Sequence, residues 1–263
     1  MRMKFMLCLL SILIITAVGC DQEVTREDFH QSYLIKSGTV IEINNPNGDV
    51  TIIGSDQEKV DIKAEKISLL GREALEQVEI FIDISDKMSI WVEHPNSNIR
   101  VSVNFEIVLP ADLLVGLIEC SNGDVTIDNV NGNPVIKTSN GTVGASGING
   151  IVTASTSNGD IVVSGVRSIG DLRTSNGDIE AELSIIHENI ELRSSNGSLS
   201  ILVAPNLALD IVAETTNGTV SVNNLSLDII ESDRNRLVGV MNGGGARLSL
   251  GTSNGSITVS QLR

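Results

Sequence analysis

Aromatic residues make up 2% of this 263-residue chain: one Trp, one Tyr and four Phe. Such scarcity leaves the interior to Val, Ile, Leu and Ala, and it denies most of the surface the Trp and Tyr side chains that dominate protein-binding hot spots. Cysteine is almost as rare. Cys8 and Cys20 fall in the first 20 residues, so Cys120 alone remains for the folded part. One cysteine cannot make an internal disulfide, and the fold must be held by burial and backbone hydrogen bonds. Basic charge is also short, with 18 Lys and Arg against 33 Asp and Glu, a net charge of −15. That balance excludes nucleic acid as a partner and excludes lying flat on anionic lipid, since both demand positive charge. The histidines, His30, His94 and His187, show no metal-ligand spacing. No G-x-S-x-G, P-loop or dinucleotide fingerprint occurs. Gly243-Gly244-Gly245 lacks the strand-helix context of a phosphate cradle and reads as a turn or bulge. No metal, no cofactor and no catalytic residue is expected.

What is present begins with a leader. Met1 to Lys4 is a short basic head, and Phe5 to Val18 is apolar apart from Ser11 and Thr16. This core has the length of a signal-peptide h-region and is short for a membrane span. It closes on Ala17-Val18-Gly19-Cys20. That ending resembles the bacterial lipoprotein signal, although Ala17 stands where the signal prefers Leu. The resemblance implies removal of residues 1–19 by cleavage between Gly19 and Cys20, with diacylglycerol on the Cys20 sulfur and palmitate-type acylation of its amino group. Two or three acyl chains would anchor the protein firmly to a bacterial membrane, facing outside the cytoplasm. Loss of Arg2 and Lys4 would take the net charge to −17. Residues 20–33 are polar and read as a lipidated tether.

Residues 34–108 hold strand-like alternation at Thr39–Ile43, Asp49–Ile53, Val60–Ala64, Val78–Ile84 and Met88–Val92, interrupted by a helix-like turn or two over Arg72–Gln77. From 109 to 263 the text is periodic. Strong Asn-Gly copies start at Asn122, Asn140, Asn158, Asn176, Asn196, Asn217 and Asn254. The first coils are 18 residues long and later ones stretch to about 20 or 21, a spacing that marks a repeat architecture. Two places before each Asn stands Cys120, Thr138, Thr156, Thr174, Ser194, Thr215 or Thr252. Three and five places after it stand apolar residues such as Val125 and Ile127 or Ile179 and Ala181. Val130, Ile148 and Val166 form a further apolar column at an odd step, which suggests a corner.

Asn-Gly between β-formers ordinarily signals a tight hairpin. In an antiparallel meander, however, successive copies of the turn do not touch, and nothing asks for identical residues. In a parallel β-solenoid each residue sits over its counterpart at roughly 4.8 Å. Identical asparagines then form a ladder, and Val and Ile layers form a continuous core. Column identity selects the all-β, parallel β-solenoid. The "NPNGDVTIIGSD" stretch at 45–56, "VLPADL" at 108–113, the TSNGDI copies and "NGGGARLSLGTSNGSITV" at 242–259 together resemble a bacterial β-strand-repeat family of candidate adhesin domains of unknown function (DUF4097-like). The resemblance covers about residues 34–263. It implies a right-handed parallel β-helix on secreted or envelope proteins and transfers little mechanism.

The Asp after Asn-Gly, at Asp49, Asp124, Asp160 and Asp178, is the tempting chemical feature, as a Ca²⁺ ligand or an acid/base pair. Thr142, Ser198, Thr219 and Ser256 replace it in other copies. Those types bond locally to backbone at turns, so a turn residue is the better reading. Cys120 lies in the Thr/Ser column and reads as a stacked small residue. The aromatics all precede residue 110, which makes the N-terminal third the expected partner surface. Three readings result: a non-catalytic, membrane-anchored envelope lipoprotein, adhesin-like or structural, with an envelope protein or glycan as partner; a β-helix enzyme acting on polysaccharide; and a scaffold that associates end to end. The last reading places the C-terminal strand at the exposed end of the stack.

Overall fold

A computed structural model describes residues 24–95 and 100–262. Gly19, Cys20 and the leader 1–19 lie outside the described residues. The chain forms β1 (Thr25–Tyr33), β2 (Val40–Asn47), β3 (Val50–Ser55), β4 (Val60–Ser68), the short α1 (Arg72–Glu76), β5 (Glu79–Ile84), β6 (Met88–Glu93) and β7 (Val101–Pro110). The repeats add β8 (Leu114–Asn122), β9 (Val125–Asp128), β10 (Asn131–Lys137), β11 (Val143–Ser146), β12 (Ile151–Ser155), β13 (Ile161–Ser164), β14 (Ser168–Asn176), β15 (Ile179–Leu183), β16 (Ile190–Asn196) and β17 (Leu199–Val203). They close with β18 (Leu209–Asn217), β19 (Val220–Asn223), β20 (Asp228–Ser232), β21 (Arg236–Met241), β22 (Ala246–Asn254) and β23 (Ile257–Gln261).

The strands build two sheets, and each coil gives one strand to each. The first sheet runs β1-β4-β7-β3-β9-β11-β13-β15-β17-β23-β19. The second runs β20-β21-β18-β22-β16-β14-β12-β10-β8-β2-β6-β5. From β3 to β19 and from β2 to β18 every neighbour is parallel, so the protein is a parallel β-solenoid. Period-2 alternation puts Val125 and Ile127, Ile161 and Val163, and Leu199 and Ile201 on one inner face, opposed by residues such as Ile118, Leu172 and Leu192. All are essentially sealed from water. The odd-step column Val130, Ile148 and Val166 is buried too. The residue before each of these is Asn129, Gly147 or Gly165, at φ of 55°, 62° and 59°. A left-handed residue turns the chain there and breaks the alternation.

Two expectations fail. Residues 25–33, read as tether, form β1, which pairs antiparallel with β4 over its whole length. Its inward positions are half-buried, and Phe29 and Tyr33 pack against the core. The many polar residues between them hide that alternation in the sequence. Nor does the C-terminal strand end the stack: β22 lies between β16 and β18, and β23 between β17 and β19. The coil at the exposed end is 209–223. The free edge of its β18 is taken by the antiparallel hairpin β20–β21. Coils with identical columns are interchangeable neighbours, so periodicity cannot order them.

Candidate functional site

Each TSNGD corner spends its polar groups on the coil beside it. The hydroxyl column is buried and donates to a glycine carbonyl one coil back: Thr156 Oγ1 to Gly141 at 3.0 Å, Thr174 Oγ1 to Gly159 at 2.9 Å, Thr252 Oγ1 to Gly197 at 2.8 Å. The asparagines form a continuous chain in which each Nδ2 donates to the next Oδ1 at 2.8–2.9 Å. It runs Asn140 to Asn122, Asn158 to Asn140, Asn176 to Asn158, Asn196 to Asn176, Asn254 to Asn196 and Asn217 to Asn254. In the stack, Asn254 therefore precedes Asn217. Asn47 stacks below Asn122 but turns its amide to the Val101 carbonyl.

Glycine is required because the coils approach too closely for any side chain. A Cβ on Gly177, at φ 157°, would lie 2.0 Å from the Gly159 carbonyl oxygen.

The acids of this corner serve the backbone. Asp49 Oδ1 accepts the amide of Asp124 at 2.9 Å, Asp124 that of Thr142 at 2.7 Å, Asp160 that of Asp178 at 2.8 Å and Asp178 that of Ser198 at 2.7 Å. Where Ser198 follows, its Oγ accepts from the Ser256 amide instead. A carboxylate and a hydroxyl do the same work, which explains their exchange along the column. Cys120 is buried against the Gly48 carbonyl, and burial pushes its thiol up to about 11. At neutral pH it carries no thiolate and is no nucleophile. His30 bonds Asp61 at 2.7 Å, and among the described residues no His, Cys, Asp and Glu cluster could hold a metal. Gly243 and Gly244, at φ 86° and 81°, form a turn.

Two further surface features lie at the N-terminal end. A shallow groove of about 560 Å³ crosses the outer face of β1, β4, β7 and the start of β3, its lining including Asp28, His30, Asp49, Lys63, Glu65 and Glu106. Its charges pair across strands, Lys63 with Glu106 at 3.1 Å and Arg26 with Glu65 at 2.7 Å. Ser32 and then His30 hold Asp61 beside it below the usual carboxylate range. On the other sheet, β5 and β6 set Phe81 opposite Trp91, stacked at 5.3 Å between ring centres and 15° between planes. Alternation signals both strands in the sequence. The register that brings these two rings together, with Glu79 facing Glu93, comes only from the hairpin itself.

Among the described residues no helix is long and apolar enough to cross a membrane. The family described as Toastrack DUF4097 matches residues 74–260. No curated protein matches the chain. Among solved structures, a candidate cell adhesion protein from Clostridium sporogenes is 12% identical. The match covers 90% of this chain and 100% of that one, at a TM-score of 0.38. A candidate adhesin from Bacteroides fragilis is 12% identical over 90% and 97%, at 0.40. One from Parabacteroides merdae is 10% identical over 90% and 96%, at 0.24.

Proposed function

This chain belongs to the Toastrack DUF4097 family, and from that premise we propose that it is a non-catalytic, lipid-anchored envelope protein whose solenoid is a binding or scaffolding body. The observation that carries the non-catalytic reading is the use of every corner carboxylate. Asp49, Asp124, Asp160 and Asp178 each hold a backbone amide of the next coil. One carboxylate oxygen of each is thus engaged in joining neighbouring coils, which gives these acids a structural task.

The anchor reading rests on Ala17-Val18-Gly19-Cys20. Since β1 starts at Thr25, five peptide steps separate Cys20 from the first strand. At full stretch they span roughly 18 Å. A lipid on Cys20 therefore holds the N-terminal end of the solenoid close to the bilayer and points the Asn217 end away from it. Labelling cells with radioactive palmitate tests this directly. Wild type should take up label and Cys20→Ala should not; equal uptake ends the anchor reading.

The polysaccharide-enzyme reading has one observation in its favour, the acids and bases around the β1–β4–β7 groove. Its side chains are about half exposed and engaged in ion pairs, whereas small-ligand sites bury most of their ligand. Chain cleavage of an acidic polysaccharide that is lost in Glu106→Gln would favour it.

A further inference from the structure

We infer that the outer face of the β5–β6 hairpin is a binding site for a cationic partner, a Lys- or Arg-bearing segment of another protein. Ile80 and Ile82 turn inward against the core, and Ile90 and Val92 are buried. Alternation therefore turns Glu79, Phe81, Trp91 and Glu93 outward together. The chain has one Trp, and it is spent here on a half-exposed face, stacked on Phe81.

The register is the decisive feature. Glu79 stands directly opposite Glu93. Like charges at directly opposed positions destabilise an antiparallel pair. Neither carboxylate has a Lys or Arg partner among the described residues; Glu93 accepts only Trp91 Nε1, at 3.0 Å. Lys87, at the turn end of the hairpin, is committed to Glu42. The same sheet also sets Arg173 opposite Arg193, but Glu191 pairs with both; the Glu79–Glu93 pair has no such counter-charge among the described residues.

Departures from local consistency of this kind are expected where a protein binds something. A cation entering between the two acids relieves their repulsion. It also lies beside the Phe81–Trp91 stack, where an outer ring face attracts ammonium and guanidinium groups. Guanidinium suits the site better, because it stacks flat on a ring while forking to a carboxylate. A neutral sugar would stack on Trp91 as well and hydrogen-bond a carboxylate through its hydroxyls, but it brings no positive charge to offset the opposed pair. The inference deepens the binding reading given above and does not depend on the lipid, so failure at Cys20 leaves it standing.

Trp91 reports on its own site. The full-length chain in detergent is titrated with an acetylated hexa-arginine amide, with Trp emission as the readout. Saturable quenching is expected, weakening as salt rises from about 50 to 200 mM. Glu79→Gln and Glu93→Gln should each weaken binding roughly three- to tenfold and also raise the melting temperature, since each removes the repulsion. Glu180→Gln, an exposed acid on the other sheet, should change neither. Three outcomes overturn the inference: no saturable change up to about millimolar peptide, an equal loss in Glu180→Gln, or quenching by a neutral chito-hexaose with none by the peptide.

Discussion

Ile257 offers a test of the stacking order. It is fully buried in β23, with Leu199 in register on one side and Val220 on the other. Truncation to Ala leaves a cavity between two coils and should cost about 3 kcal/mol, within the usual range for such a change. In a quasi-one-dimensional stack, a coil outboard of a weak layer is held only through that layer. Residues 209–223 are outboard of Ile257 and take backbone bonds from it; the Ile257 amide itself donates to the Thr219 carbonyl at 2.9 Å. Ile257→Ala should therefore raise amide hydrogen exchange on the order of a hundredfold over both 246–261 and 209–223, while 125–181 stays protected. Val222→Ala, in the half-buried end coil, should leave 246–261 close to wild type. If Ile257→Ala exposes 246–261 and residues 209–223 keep their protection, the interleaved order is wrong.

The corner makes further predictions. Gly177→Ala forces a Cβ to 2.0 Å from a backbone oxygen at a φ of 157°, and should lower unfolding free energy by roughly 2–6 kcal/mol, read by urea denaturation. The Cys120 thiol, raised to about 11, favours the folded state below its unfolded value of 9.0, and the contribution is lost as pH climbs through about 11. Native chain should thus resist a thiol reagent at about pH 8 and react fully in denaturant, and Cys120→Thr should fold normally because Thr fills that column. Glu191 is held below its ordinary 4.5 first by the hydrogen bond from Arg173. Its contribution is complete above 4.5 and is lost as pH falls through the lower folded value, so Glu191→Gln should flatten the acid limb of a urea-midpoint profile.

The sequence made the repeat legible because stacking repeats the environment. Thr138, Thr156 and Thr174 each meet the equivalent glycine carbonyl of the coil before, at Gly123, Gly141 and Gly159, and one residue type answers it. Order was illegible for the same reason. Asn217 and Asn254 each present a surface that fits Asn196, and nothing in a column says which of them takes it. The caps were illegible because they are antiparallel and singular. β1 mixes Arg26, Asp28 and His30 outward with half-buried Phe29 and Tyr33, so its composition reads as a polar linker. The β5–β6 face was half legible: composition located the aromatics in the N-terminal third, but pairing Glu79 with Glu93 depends on where the hairpin turns, at Ser85–Lys87.

The interleaved tail also bears on how the chain assembles. Coils made in order can zip onto one another as far as β17. The next coil synthesised, 209–223, carries the columns that fit that ledge, yet the ledge belongs to 246–261, which is made after it. In the finished fold Asn254 reaches back 58 residues to Asn196, and Asn217 waits 37 residues for Asn254. Two segments thus compete for one seat, and the earlier arrival is the wrong one. Folding must either hold 209–223 aside or displace it, and either route makes residues 246–261 the clasp that seats the end coil.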